Sequence, residues 1–190
     1  MNTHPSSFLS SSCEGRYIAK HDMNGVFAIR PIKKGELIAV FGGVVMDWDT
    51  FETQPEKIRS LSLQVEETLY LVPETIGQGD YFNHSCDANA GLVGQITLYA
   101  LRDIKDGEQV CFDYAMSDCS PYDEFDCQCG AHNCRKQVTG NDWQIIELQD
   151  RYAGYFAPHI QRRIDEMKAR QPRKFYAYKA MLQSAGIGNG

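Results

Sequence analysis

Apolar residues in the first two thirds of the chain come in short runs of four or five, separated by glycine, proline and charged turns. Such runs predict short strands, half-buried where they alternate with polar residues. Val26 to Ile29 follows the Asn24-Gly25 turn, and Leu37 to Phe41 follows the break from Pro31 to Gly35. Gly42-Gly43 ends that second strand or lets another segment come close. Asp47 to Ser60 starts with acids, contains Pro55 and carries only a weak apolar stripe, which predicts an exposed helix. Leu61 to Val65 alternates cleanly and should pair with Leu69 to Val72 across Glu66-Glu67-Thr68. Asn89 to Ala100 predicts two strands around Gly94, with Ile96, Leu98 and Ala100 on one face. Val110 to Tyr114 predicts another. The turn at Ile104 to Glu108 echoes the one at Ile32 to Glu36, without amounting to a structural repeat.

After Gly140 the period becomes helical. Asn141 or Asp142 can cap a helix running through Trp143, Ile145, Ile146, Leu148 and Gln149. Pro158 starts a second, with Ile160, Ile164 and Met167 on one stripe, and Pro172 ends it. A third short helix is expected through Phe175, Tyr178 and Leu182. Strands first and helices last make an α+β layout, mostly β.

At 190 residues and 43% hydrophobic content, one domain with a modest extension can bury a real core. No run of apolar residues is long enough to span a membrane. The start of the chain, M-N-T-H-P-S-S-F-L-S-S-S, lacks the features of a secretion signal, and its serines predict a mobile arm. Residues 151–190 hold eight Lys/Arg against two acids, or +6; the rest of the chain holds 11 against 23, or −12. An acidic body suits a basic partner such as a lysine-rich peptide. The basic tail suits weak nucleic-acid contact, or simply solubility. Seven cysteines argue against a complete disulfide framework and for an intracellular chain.

Two stretches carry candidate chemistry. The first, D-Y-F-N-H-S-C-D-A-N from Asp80 to Asn89, sets an amide, an imidazole, a hydroxyl and a thiol side by side behind two bulky rings. It reads as a polar turn whose side chains cap one another, or as buried groups awaiting a ligand, a metal or crossing backbone. The second is Cys127, Cys129 and Cys134, a C-x-C-x₄-C spacing that fits a tetrahedral zinc site lacking one corner. Cys86 is the best fourth ligand and His132 the competitor; a redox pair or free thiols are the other readings. Closing this loop onto Cys86 would lay it as a lid over Asn83 and His84.

With Gly107-Glu108 through Phe112-Asp113-Tyr114, the sequence resembles the SET-domain protein-lysine methyltransferases. The family's asparagine–histidine motif looks like Asn83-His84-Ser85-Cys86, and its glutamate-to-tyrosine strand looks like Glu108 to Tyr114. Its post-SET zinc loop looks like Cys127, Cys129 and Cys134 followed by Arg135, and its glycine motif like Met23-Asn24-Gly25-Val26-Phe27. The likeness covers about residues 14 to 136. It implies a flexible arm over 1–13, a SET domain over 14–118, a post-SET zinc loop over 119–140 and a helical extension over 141–190. It also implies small curled sheets with a pseudoknot. Met23, Asp80 and Lys136 depart from the pattern, standing where glycine, arginine and glycine are common.

The resemblance implies S-adenosyl-L-methionine held by Asn24, Gly25, Tyr81, Asn83 and His84, with Tyr114 as the catalytic tyrosine. Phe112 would line a lysine channel, for which Phe41 and Tyr99 are further plausible walls. Structural zinc would sit on Cys86, Cys127, Cys129 and Cys134. A free lysine amine has a pKa near 10.4 and must lose its proton to react; an apolar aromatic channel favours the neutral form. Phenylalanine at 112, where tyrosine would crowd a methylated amine, implies transfer beyond one methyl. The resemblance thus implies methyl transfer to lysine in a histone or other basic protein, in the cytoplasm or, if host-directed or eukaryotic, at chromatin. A non-catalytic SET-like peptide-binding module and a zinc-thiolate redox sensor using Cys111 and Cys119 are the rival readings. No G-x-G-x-x-G follows a strand, which argues against a Rossmann-type cofactor site.

Overall fold

The computed structural model describes residues 4–121 and 124–170, together with Tyr178 and Met181. Short strands dominate it. β1 (Phe8–Leu9), β4 (Leu37–Val40), β9 (Ala90–Val93) and β10 (Thr97–Ala100) form one sheet in the order β1-β4-β10-β9. β2 (Cys13–Ile18), β3 (Met23–Ala28), β11 (Gln109–Phe112) and β8 (Asn83–His84) form a second, in the order β2-β3-β11-β8. β5 (Val44–Asp47), β7 (Leu69–Val72) and β6 (Leu63–Glu66) form a third, and β12 (Phe125–Asp126) pairs with β13 (Gln137–Val138).

Period-two alternation accounts for the register. Leu98 and Ala100 have no exposed surface, and they pack with Val26, Ile38, Leu92, Val110 and Ile104 in the main core. The pairing of Leu63–Glu66 with Leu69–Val72 is antiparallel, as the alternation predicts. The two similar turns meet each other through a bridge between Ile32 and Ile104. β8 and β11 run parallel, pairing Asn83 with Cys111 and His84 with Phe112. A parallel pair requires a crossover, and here the β9–β10 hairpin lies in it. Asn83-His84 and the strand that leads into Tyr114, far apart in sequence, become neighbours through this one pairing.

Several expectations change. The 47–60 segment is not one exposed helix. It splits into α1 (Trp48–Phe51) and α2 (Glu56–Arg59), with Pro55 at the break, and Phe51 is fully buried, stacked 4.0 Å from Tyr70. Val44–Asp47 is a strand that its mixed pattern concealed; Val44 and Val45 are exposed. Residues 6–13, expected in a mobile arm, belong to the body. Phe8 pairs with Val40, and Ser6 N–H donates to Thr75 O at 2.9 Å. Gly42 permits this approach, since a Cβ there would stand 2.1 Å from Ser6 O.

The C-terminal part is continuous with the core. Asp142–Gln144 is a 3₁₀ turn, followed by α3 (Ile146–Arg151) and α4 (Pro158–Arg170). Trp143, Leu148, Tyr152, Phe156, Ile160 and Ile164 join the main core cluster. Arg162 forks onto Glu66, so part of the basic end is paired with the acidic body. The expected third helix lies outside the described residues, apart from Tyr178 and Met181.

Candidate active site

His84 stands where the two sheet-borne stretches and the cysteine loop converge. The β8–β11 pairing turns Asn83 toward the surface and His84 inward, as alternation requires. The His84 ring is buried, and burial lowers its pKa to about 4 even though Asp113 lies nearby. The ring is therefore neutral at pH 7, and its 3.6 Å approach to Asp113 is no ion pair. Nδ1 accepts the Tyr114 N–H at 3.3 Å, which leaves the proton on Nε2, 3.2 Å from Cys86 Sγ. Both ring nitrogens are thus occupied within the protein. His84, expected at the cofactor, sets its ring between the Tyr114 turn and the Cys86 sulfur.

Tyr114 is not a strand residue. β11 ends at Phe112, and Tyr114–Met116 form a 3₁₀ turn capped by the Asp113 carboxylate, which accepts the Ala115 N–H at 3.1 Å. The Tyr114 hydroxyl donates to Phe82 O at 3.0 Å. Its ring lies 5.3 Å from that of His84 and 5.0 Å from that of Phe112. Phe112 and Phe82 each meet Phe41, at 6.2 and 5.7 Å between centroids. These rings line one side of an open cleft completed by Leu61, Leu63, Asp80, Ser117 and Asp118. Tyr99, expected as a channel wall, is not among its lining residues. It alternates with the buried Leu98 and Ala100 and so leaves the core face. Phe82 takes its place, a role open to any bulky residue just ahead of Asn83.

Asp80 serves as a latch. Its two oxygens accept the Ser7 hydroxyl and the Gly77 N–H, and Ser7 Oγ in turn accepts the Gly42 N–H at 3.0 Å. Burial raises its pKa. This acid in an arginine position therefore holds the N-terminal segment against the cleft.

Asn24, Gly25, Tyr81 and Asn83 lie on adjoining elements. Asn83 Nδ2 donates to Asn24 O at 2.9 Å. Gly25 keeps the ledge open: a Cβ there would meet Gln109 Nε2 at 2.7 Å and Asn83 Nδ2 at 3.0 Å, side-chain ends that would have to move aside. Asn24 is exposed and Asn83 and Tyr81 are half-buried, so this amide-rich ledge offers polar groups and one ring to a small molecule. That donor set fits an amino-acid-bearing nucleoside.

The sulfurs of Cys86, Cys127, Cys129 and Cys134 all lie within 4.8 Å of one another, and those of Cys86 and Cys127 are 3.8 Å apart. Tetrahedral zinc with bonds near 2.3 Å sets sulfur–sulfur edges of about 3.8 Å, so the thiols fit that ion. Burial pushes Cys86 up to about 11 and raises Cys127 too. At Cys129 burial is outweighed by donated backbone N–H bonds from Ala131 and Cys86, and its pKa falls to about 7. A dication would displace the protons of all four. His132 is exposed and outside the cluster. Phe125, unforeseen in the sequence, packs edge-on against His84 and Tyr114 at 5.8 and 6.0 Å, making the cysteine loop a cover over them.

Cys111 is pushed up to about 12 by burial and Cys119 is raised for the same reason, which makes both poor nucleophiles. The helices after Gly140 touch the site from behind. Arg151 Nη1 donates to Cys86 O at 3.1 Å, His159 Nε2 to Ser117 O at 2.8 Å, and Ala157 N–H to Met116 O at 2.8 Å.

Comparison with known proteins agrees with this architecture. The chain is 30% identical over 132 residues to histone-lysine N-methyltransferase ASHH3 of Arabidopsis thaliana, covering 60% of this chain and 35% of that protein. It is 31% identical over 130 residues to the variant-silencing SET domain-containing protein of Plasmodium falciparum, covering 58% of this chain and 5% of that one. The chain thus spans well under two thirds of either relative. Among solved structures, the methyltransferase domain of human histone-lysine N-methyltransferase SETMAR superposes with a TM-score of 0.54 at 20% identity, over 67% of this chain and 58% of that one. KRYPTONITE, solved in complex with mCHG DNA and SAH, gives 0.53 at 22% identity, over 68% and 29%. These two establish the fold. Residues 23–115, just under half of the chain, match the family described as SET domain, and over that segment the chain is similar to the SET-domain proteins.

Proposed function

We propose that this protein transfers a methyl group from S-adenosyl-L-methionine to the side-chain amine of lysine in a basic protein. The observation that carries the reading is Tyr114, set at the join between the aromatic cleft and the His84 turn. The similarity to histone-lysine N-methyltransferases supports it, as does the SAH in the KRYPTONITE structure.

Asn24, Gly25, Tyr81 and Asn83 would hold the cofactor, which supplies an electrophilic sulfonium methyl when bound. Phe41, Phe82 and Phe112 would surround the lysine stem and disfavour its ammonium form. Asp80 and Asp118 at the cleft wall would attract that ammonium on arrival. The Tyr114 hydroxyl and the Phe82 carbonyl it bonds lie at one point, where oxygen atoms can direct the amine and polarise a methyl C–H. Alignment of the reacting atoms supplies most of the rate. Zinc on the four cysteines is structural, because a closed Cys₄ shell leaves no position for water.

Labelled-methyl transfer to a panel of lysine-rich proteins tests this, with wild type and Tyr114→Phe side by side. Labelling of a lysine by wild type alone is expected. Equal labelling by both removes Tyr114 from the chemistry. Peptide capture in the cleft without transfer by either chain identifies a binding module instead.

A further inference from the structure

Asp113 sits between Phe112 and Tyr114, and its carboxylate has no exposed surface. A buried charge without partners is costly. Arg135 meets it with a two-pronged contact, Nη1 to Oδ2 at 2.6 Å and Nη2 to Oδ1 at 2.8 Å. Its third nitrogen, Nε, donates to Asp142 Oδ2 at 2.8 Å, while Thr139 holds the other Asp142 oxygen at 2.9 Å. Arg135 is also the residue directly after Cys134, and its backbone N–H points at Cys86 Sγ from 3.3 Å. One residue therefore touches the cysteine cluster with its backbone and the cap of the Tyr114 turn with its side chain. The same Asp113 oxygen that takes Nη2 also accepts the Ala115 N–H.

We propose that Arg135 is a positioning residue, which converts closure of the cysteine loop into the setting of Tyr114 by gripping Asp113. The proposal rests on the role given to Tyr114 above. With the loop in place, the guanidinium is fixed at three nitrogens between two carboxylates, and Asp113 can hold the Tyr114–Met116 turn in one orientation. With the loop released, Asp113 loses its counter-charge and the cap loosens. A planar fork is needed for this geometry; the point charge of lysine satisfies one carboxylate at a time. The 3₁₀ turn at Asp142 thereby becomes part of the catalytic architecture, although it lies far from the cleft in sequence.

The test compares Arg135→Lys, Tyr114→Phe and the double variant in the full zinc-loaded chain, with methyl transfer to the lysine-rich panel. Arg135→Lys is expected to lower kcat by about tenfold or more, with KM for the peptide changing by less than about threefold. In the Tyr114→Phe background it should cost less than about threefold further, because its effect runs through the tyrosine. Losses that multiply independently in the double variant overturn the proposal, since general weakening of the fold acts in either background.

A second measurement needs no turnover. Amide exchange at Ala115 and Met116 should rise by about tenfold or more in Arg135→Lys, with zinc content unchanged and the Ile160 and Ile164 amides unaffected. Removing zinc from wild type with a chelator should raise the same two amides. Uniform acceleration, or none at Ala115, overturns the proposal. Asp142→Asn, which leaves the Arg135 fork on Asp113 in place and weakens the support at Nε, provides a milder variant and should move the same amides less. If wild type labels no protein but exchange follows this pattern, the methyl-transfer reading fails and the Arg135 tether stands.

Discussion

Tyr114 has two unlike neighbourhoods. On one side the cysteine cluster is closed: four sulfurs face inward, His84 and Arg135 reach in with N–H groups, and Phe125 covers the tyrosine ring. On the other side the cleft is open, walled by Phe41, Phe82 and Phe112 with the largely buried Asp80 and Asp118 in its lining. The closed side turns its thiols and the groups around them inward, so it can fix geometry but admits no reactant. The open side has rings that make few demands of their own, so it can receive a long apolar stem with a polar end. Rigid support next to an open receptor is what alignment-based catalysis requires.

The largest effect should come from breaking the closed side. Cys127→Ser removes one ligand, and binding energies of structural zinc are of order 10 kcal/mol. Metal analysis should find less than stoichiometric zinc, with loss of near-ultraviolet dichroism and of methyl transfer together. Tyr114→Phe strikes the boundary. It should lower kcat by about 10²- to 10³-fold, equivalent to about 3–4 kcal/mol, while zinc content and melting temperature hold. A matching fall in zinc would mean that the two sides are not separable.

Phe112→Tyr sharpens the open side. Wild type should add more than one methyl, and the added hydroxyl should confine products to monomethyl-lysine by mass spectrometry with less than about tenfold change in the first transfer. Wild-type products that already stop at one methyl contradict the expectation. The smallest effect concerns the support behind both sides. Burial lowers the pKa of His159, so the unfolded chain binds its proton more readily. This contribution to stability is present above the ordinary histidine range, near pH 6.5, and is lost as pH falls below it. His159→Gln should flatten that part of a pH–stability curve measured by denaturant unfolding.

Much of this was legible in the sequence, for local reasons. Alternation marked Leu63–Glu66 and Thr97–Ala100, and Leu69–Val72 followed as the partner of the first; Thr97–Ala100 buries one face, whereas the other two are buried along most of their length. Spacing marked Cys127, Cys129 and Cys134, because a metal shell needs several thiols on a short loop. Pro158 marked the start of α4. Local pattern failed where burial was decided from a distance. Phe51 is buried because Tyr70 lies beneath it, and Val44–Asp47 is a strand because β7 offers an edge. Residues 6–13 join the body because Asp80 and Gly42 receive Ser7.

The sequence by itself determined the kinds of groups available: an amide and imidazole in tandem, a tyrosine after an apolar strand, a set of thiols. Only the tertiary structure decided which way each one faces. The His84 ring faces the cysteine cluster and Tyr99 lies off the core face, because a two-residue strand pairing and a neighbouring sheet fix those directions. Asp113, flanked by Phe112 and Tyr114, is buried in the structure, and its charge needs a partner there. That the partner is Arg135 follows from three-dimensional closure alone, since electrostatic pairing in the interior depends on distance in space and not along the chain.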